Sequence, residues 1–197
     1  MIYRLYEHLI AKDLRTFPKE MCFMLSDTDI LSDAGKLEKV IMWAKAFPEI
    51  KRIIFHISTG EAKKIEKLLD PQSLAKKTTV RISTPEHDTT SGMGTPEILI
   101  ALGKKGRDEI TDAIIAIANE EIDPESITEE TIESHLAYQV NPDFVIKTGG
   151  NHLTDFLIWQ SVYSELFFTD INWNRFRKVD FLRALRDFQS RGRRYGR

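Results

Sequence analysis

The chain has 197 residues, 42% of them hydrophobic, with 28 basic against 30 acidic side chains and a single cysteine. That size and apolar content suit one globular domain, residues 1–197, whose core needs neither disulfides nor structural metal; the near-neutral total excludes a global field drawing the chain to nucleic acid or anionic membrane. No apolar run reaches the roughly 20 residues that span a bilayer and no secretory pattern opens the sequence, so a cytoplasmic location is expected.

In chain order, Met1 to Leu14 sets Ile2, Leu5, Tyr6, Leu9 and Ile10 at helical spacing among charged residues, which predicts an amphipathic helix covering the core. Glu20 to Ser26 is a short apolar run after Pro18 and reads as a buried strand containing Cys22, a small hydrophobe. Asp33 to Phe47 returns to a 3.6 period through Leu37, Val40, Ile41 and Ala44. Lys51 to Ser58 repeats the strand signal, and the helix expected over Glu61 to Leu69 is ended by Pro71. Two more strands, Thr79 to Ser83 and Glu97 to Leu102, flank a polar segment, Thr84 to Pro96, that reads as a mobile loop. A helix over Arg107 to Glu120 follows, then one capped by Thr128 with Glu129 and Glu130 in its first turn. The remaining expectations are a strand at Asp143 to Lys147, a helix at Thr154 to Gln160, a strand at Ser164 to Phe168 and a closing helix from Lys178 to Arg191. Alternation of strand and helix predicts an α/β fold, a mostly parallel central sheet flanked by helices, with ligands beyond the carboxyl ends of the strands.

The strand ending at Lys147 runs into Thr148-Gly149-Gly150-Asn151-His152-Leu153-Thr154 before a helix. Adjacent glycines let backbone amides approach an anion and a helix N-terminus adds positive potential, so the turn suits a diphosphate with Lys147 as counter-charge. Taken alone such a segment is more often a plain turn capped by Thr154, and His152 more often a loop histidine than a base. From Arg175 onward nine Arg and Lys side chains face only Asp180 and Asp187, a locally cationic end.

The stretch from Pro142-Asp143-Phe144-Val145-Ile146-Lys147-Thr148 through Phe156-Leu157-Ile158-Trp159-Gln160-Ser161-Val162-Tyr163-Ser164-Glu165-Leu166-Phe167-Phe168-Thr169-Asp170 resembles the PDLLIRTSGExRLSNFLLWQxAYSELYFT segment of cis-prenyltransferases, the undecaprenyl and dehydrodolichyl diphosphate synthases. The likeness continues through Trp173, Phe176, Asp180-Phe181 and Ala184-Leu185 to Arg193-Arg194-Tyr195-Gly196, and Gly106-Arg107-Asp108-Glu109-Ile110 resembles the family's GGRxEI. It implies an undecaprenyl diphosphate synthase-like fold, a dimer with a hydrophobic tunnel in each subunit, and addition of isopentenyl diphosphate to an allylic diphosphate with Mg2+. By the same resemblance Lys147 stands for an arginine holding isopentenyl diphosphate, Thr154 for a nearby serine, and Glu165 for a glutamate linked to the metal. Arg194 and Gly196 match an RxG motif that reaches into the partner subunit's site.

Departures from the family pattern shape the functional expectation. Where the first strand would end in MDGNxRWA, Met21 to Leu25 is followed by Ser26-Asp27-Thr28-Asp29-Ile30-Leu31-Ser32-Asp33-Ala34-Gly35-Lys36. Serine takes the metal aspartate's place, Asp27 recovers a carboxylate only by a one-residue shift, and an acidic loop replaces a cationic cradle that would hold a diphosphate. FSTEN becomes Ile57-Ser58-Thr59-Gly60-Glu61, the second arginine of TSGExR is missing, and lysine at 147 loses bidentate recognition. The pattern resembles the accessory, Nogo-B-receptor-type subunit of a two-component enzyme, which lends its RxG tail to a catalytic subunit. The partners implied are that subunit and isoprenoid diphosphates, with a homodimer and peripheral membrane contact left open and no nucleic acid. A stand-alone enzyme using Asp27 and Glu165, and a prenyl-lipid binding or scaffold protein, are the alternatives.

Overall fold

The computed structural model describes residues 2–103, 105–120, 122–150 and 157–191, with side chains from Leu5 onward. Seven strands form one sheet in the order β4-β3-β5-β2-β1-β6-β7. They are β1 (Glu20–Ser26), β2 (Arg52–Ser58), β3 (Thr79–Ser83), β4 (Asp88–Ser91), β5 (Glu97–Leu102), β6 (Phe144–Thr148) and β7 (Glu165–Thr169). Every pairing is parallel except β3 with β4. Continuous burial rather than alternation marks β1 and β2, because both faces are covered and five successive residues of each are buried, His56 of β2 among them.

The helices are α1 (Ile2–Asp13), α2 (Asp27–Ser32), α3 (Lys36–Ala44), α4 (Ala62–Glu66), α5 (Pro71–Leu74), α6 (Gly106–Asn119), α7 (Glu129–His135) and α8 (Lys178–Ser190). On one face α1, α3 and α8 close over the larger core, which includes Ile10, Leu37, Phe144 and Phe188. At its centre Phe23, Phe55, Trp173 and Phe176 are fully buried, with Phe23 and Phe55 ring centroids 5.5 Å apart and Trp173 and Phe176 6.3 Å apart. Side chains thus fill the layer between β1, β2 and the 3₁₀ turn at Trp173–Arg175. The other face carries a smaller core of Cys22, Met24, Ile54, Leu99, Tyr138 and Val145. Burial pushes the Cys22 thiol up to about 12, so it packs as the small hydrophobe expected.

Three local expectations change. The segment Thr84 to Pro96 contains β4, whose antiparallel register with β3 runs from Val80↔Ser91 to Ser83↔Asp88. Pro71 opens a helix instead of only ending one: it occupies the first turn of α5, whose N-cap Asp70 accepts from Gln72 N and Ser73 N. Ile158 to Tyr163 forms turns, not helix, and the start of the helix expected at Thr154 lies outside the described residues. Among the described residues no helix is long and apolar enough to cross a membrane.

Candidate functional site

Chain order reverses across the sheet at β1, since β2 lies on one side of it and β6 on the other. In an open parallel sheet the crevice at such a switch point, beyond the carboxyl ends of the strands, is where ligands bind. Met24 pairs with Lys147 in the β1–β6 ladder, so Ser26 and Asp27 emerge beside Thr148, Gly149 and Gly150. Lys147 and Asp27 therefore both lie toward the carboxyl end of the sheet at this switch point.

The β1 end is folded as a helix start. Ser26 is the N-cap of α2; its Oγ accepts from Asp29 N at 3.2 Å, and Asp29 Oδ2 accepts from Ser26 N at 2.9 Å and Ser26 Oγ at 2.8 Å. This reciprocal box satisfies donors that a helix N-terminus otherwise leaves open. Asp27 accepts from Thr28 N at 2.7 Å. Asp33 lies 3.3 Å from Lys36 Nζ, and that buried ammonium also donates to Asn174 O at 2.9 Å and Phe176 O at 3.1 Å. Trp173 Nε1 completes the lock by donating to Asp33 O at 3.0 Å. All three carboxylates of the acidic segment thus have partners within their own fold.

The glycine turn behaves differently from expectation. Gly149 and Gly150 do have positive φ, +71° and +140°. A Cβ on Gly149 would come within 2.9 Å of Asn172 Oδ1, the movable end of an exposed side chain, so the positive φ is what favours glycine there. Their amides, however, donate to Ile171 O at 3.1 Å and Thr169 O at 3.4 Å, so these two N–H groups tie the turn to the chain after β7 and do not form an open anion cradle. What remains for an anion is the half-buried Lys147 and the buried Thr148 Oγ1, neither of which has a side-chain hydrogen bond or ion pair among the described residues. Thr154, Arg194 and Gly196 lie outside the described residues.

Glu165 is not at this crevice. It opens β7 opposite Phe144, at the amino end of the strands, and its carboxylate lies 3.6 Å from Arg191 Nη1. Four residues of strand put it about 13 Å from the carboxyl edge, so Asp27 and Glu165 of one chain cannot share a metal ion. Among the described residues no three His, Cys, Asp or Glu side chains group as a metal site. The donor set expected for Mg2+ is thus not assembled by the described residues of this chain.

One buried polar cluster escaped the sequence reading. Glu109, 2% exposed, accepts from Tyr138 N at 2.9 Å and Gln160 Nε2 at 3.0 Å, and Gln160 Nε2 also reaches Tyr138 O at 3.1 Å. Burial, then the Glu109 charge, pushes the Tyr138 phenol up to about 12. The signal was present: Glu109 falls on the buried i, i+4, i+8 stripe of α6 with Ala113 and Ile117.

The family described as "Putative undecaprenyl diphosphate synthase" matches residues 43–196. Similar proteins include an isoprenyl transferase of Deinococcus radiodurans, 46% identical in a 121-position alignment that covers 56% of this chain and 44% of that protein. Another is a tritrans,polycis-undecaprenyl-diphosphate synthase (geranylgeranyl-diphosphate specific) of Methanocaldococcus jannaschii, 50% identical over 108 residues, 50% of this chain and 38% of that protein. The match therefore spans less than half the length of either relative. Among solved structures, a "probable undecaprenyl diphosphate synthase" of Campylobacter jejuni aligns over 93% of this chain and 100% of its own with a TM-score of 0.69 at 17% identity, a likeness of fold. Lavandulyl diphosphate synthase of Lavandula x intermedia aligns over 92% and 99% with a TM-score of 0.68, also at 17% identity.

Proposed function

The chain belongs to the undecaprenyl diphosphate synthase family of prenyltransferases, and from that premise we propose that it is the accessory subunit of a heteromeric cis-prenyltransferase. The complex would make long-chain polyprenyl diphosphate from isopentenyl diphosphate and an allylic diphosphate. The observation that carries this reading is the end of β1, where Ser26 caps a helix and Asp29 is turned back onto it. A diphosphate arriving there would meet Asp27, Asp29 and Asp33, with Lys147 on the neighbouring strand as counter-charge and Lys36 already held by Asp33 and two carbonyls. Reopening the segment would unmake the cap and the Lys36 lock together.

In this reading the chain's own contribution is to binding. Lys147 offers an uncommitted ammonium to a diphosphate oxygen as a point charge. Thr154 adds a hydroxyl, and Arg194 with Gly196 supplies the RxG end to the partner's site. Mg2+, which would neutralise the diphosphate leaving group, belongs to the catalytic subunit, because the described carboxylates here are spent on capping and ion pairing. No prenyl transfer is then expected from the chain alone.

A second reading, a stand-alone cis-prenyltransferase, is favoured by the 46% and 50% identity to proteins named as an isoprenyl transferase and an undecaprenyl-diphosphate synthase. It needs the carboxylates of Asp27 and Glu165 to come from two chains. One assay separates the readings: purified chain with labelled isopentenyl diphosphate, an allylic diphosphate and Mg2+. Elongation by the chain alone sinks the accessory role. If it is inactive, co-expression with a full-motif catalytic subunit should restore turnover and Arg194→Ala should abolish it; restoration indifferent to Arg194 points to a prenyl-lipid scaffold instead.

A further inference from the structure

Helix α1 packs on α8 through Ile10 and Tyr6, with Leu14 just past its end, and leaves a second apolar pair outside the core. Leu5 and Leu9 keep 62% and 52% of their surface open. Four positions apart on a helix, the two stand about 40° from each other and form one stripe. His8 and Lys12, three positions after Leu5 and Leu9, border it on one side, and Tyr6, three positions before Leu9, borders it on the other. Glu7 lies two positions from each leucine and so on the far side of the helix, which leaves Asp13 as the one carboxylate of α1 on this face.

The Tyr6 border is cationic, and its charge comes from the other helix. Arg183 of α8 stands over the Tyr6 ring with its guanidinium carbon 5.4 Å from the centroid. Hydrogen bonds from Arg183 first and Arg186 next hold the phenol pKa below its ordinary value. Of the two α8 carboxylates, Asp180 is buried beneath Arg177 and Arg183, and Asp187 is paired with Arg191. The stripe of leucines therefore lies between an ammonium and an imidazole on one side and a phenol with two guanidiniums on the other.

That make-up fits the headgroup layer of a bilayer. Aliphatic carbons enter the acyl boundary, phenol and guanidinium stay at headgroup depth, and the positive charge draws anionic lipid. Two other occupants fit less well. Two leucines fall far short of the roughly 800 Å² that each side of a stable protein interface buries. A second copy docked by two-fold symmetry would set these cations against themselves. We propose that the α1–α8 face docks the chain on an anionic lipid surface, lying along the interface, since no described helix is long and apolar enough to cross it. The near-neutral total charge does not oppose this, because the field that acts is local to within a Debye length. The face shares no residue with the β1–β6 crevice and is independent of the accessory reading.

Flotation of the full-length chain with vesicles tests this. Vesicles of equal parts phosphatidylcholine and phosphatidylglycerol should carry the chain, and vesicles of phosphatidylcholine alone should bind it about tenfold more weakly. Leu5→Asn with Leu9→Asn should weaken binding to the mixed vesicles about tenfold, and Lys12→Gln with Arg186→Gln about as much. All four side chains are exposed, so both variants keep the fold. Ile114→Asn with Ile115→Asn serves as control: the pair is equally exposed, but on α6, which is tied to the opposite core through Tyr138, and should leave binding unchanged. No binding to the mixed vesicles, equal binding to neutral ones, indifference to the leucine or the charge variant, or an equal loss from the α6 pair would each overturn the proposal. So would self-association of the chain that Leu5→Asn with Leu9→Asn abolishes, since the stripe would then belong to a second copy.

Discussion

Gln160 Nε2 donates to the Glu109 carboxylate at 3.0 Å across 51 positions of sequence. The two residues belong to the separate stretches, Gly106 to Ile110 and Pro142 to Asp170, on which the family resemblance rests, and the fold joins them as a structural tie between α6 and the chain leading to β7. Glu109→Ala would strand the Tyr138 N–H and the Gln160 amide in the smaller core. A loss of about 3 kcal/mol is expected, read as a lower urea midpoint with unchanged slope. Glu109→Gln, which keeps one acceptor oxygen, should lose about half of that.

Ser26→Ala removes the α2 cap and should cost about 1 kcal/mol. Ser26→Asp is the more telling change. It restores the acidic residue type of related loops but sets a second carboxylate against Asp29 Oδ2, where the serine hydroxyl now donates at 2.8 Å. We expect no prenyl transfer from the Ser26→Asp chain alone and a lower melting temperature, followed by label incorporation and thermal denaturation. Elongation by this variant would show that the acidic segment opens for substrate.

Lys36 is 6% exposed and serves Asp33 and two carbonyls of the Trp173 turn. Lys36→Ala should destabilise the chain by about 3 kcal/mol, because the carboxylate and both carbonyls lose their shared cation. Lys36→Arg should recover little, since a planar fork cannot point at three acceptors converging on one nitrogen. Chemical denaturation of both variants tests this.

His135 closes α7 with both ring nitrogens on acceptors, Nδ1 at 2.7 Å from Thr131 O and Nε2 at 3.1 Å from Glu120 Oε2. Only the imidazolium can donate at both sites, and its pKa is raised from 6.5 by the Thr131 carbonyl first and Glu120 next. A raised folded value means the stabilisation is complete below about pH 6.5 and is lost as pH climbs through the folded pKa. Thermal stability should therefore decline as pH rises above about 6.5, and His135→Gln should flatten that decline. A slope identical in the variant would remove His135 from the account.

Strands β1 and β2 and the closing helix were legible because continuous apolar runs and a 3.6 period announce elements buried by their own composition. Thr128 was legible as a cap because its hydroxyl acts on a residue three positions on, Thr131. What was not legible depends on distant partners. The Asp27–Ser32 segment reads as a loop until Ser26 and Asp29 close on each other, and the glycine amides look available until Ile171 and Thr169 return to take them. Glu165 is a different case: the strand expected at Ser164 to Phe168 already sets it at an amino end, and the parallel register with Phe144 shows that this end lies away from the crevice.

The two edges of the sheet are unequal. At one, β4 is four residues long, antiparallel and made of Asp, Thr, Thr and Ser, a border poorly suited to recruiting another strand. At the other, β7 presents Leu166, Phe167 and Phe168, with the Leu166 carbonyl taken by Arg191 Nη1 at 2.9 Å. Arg191 thus covers one carbonyl of a strand that also carries the exposed Phe168, so Arg191→Ala would bare a backbone acceptor beside an exposed ring.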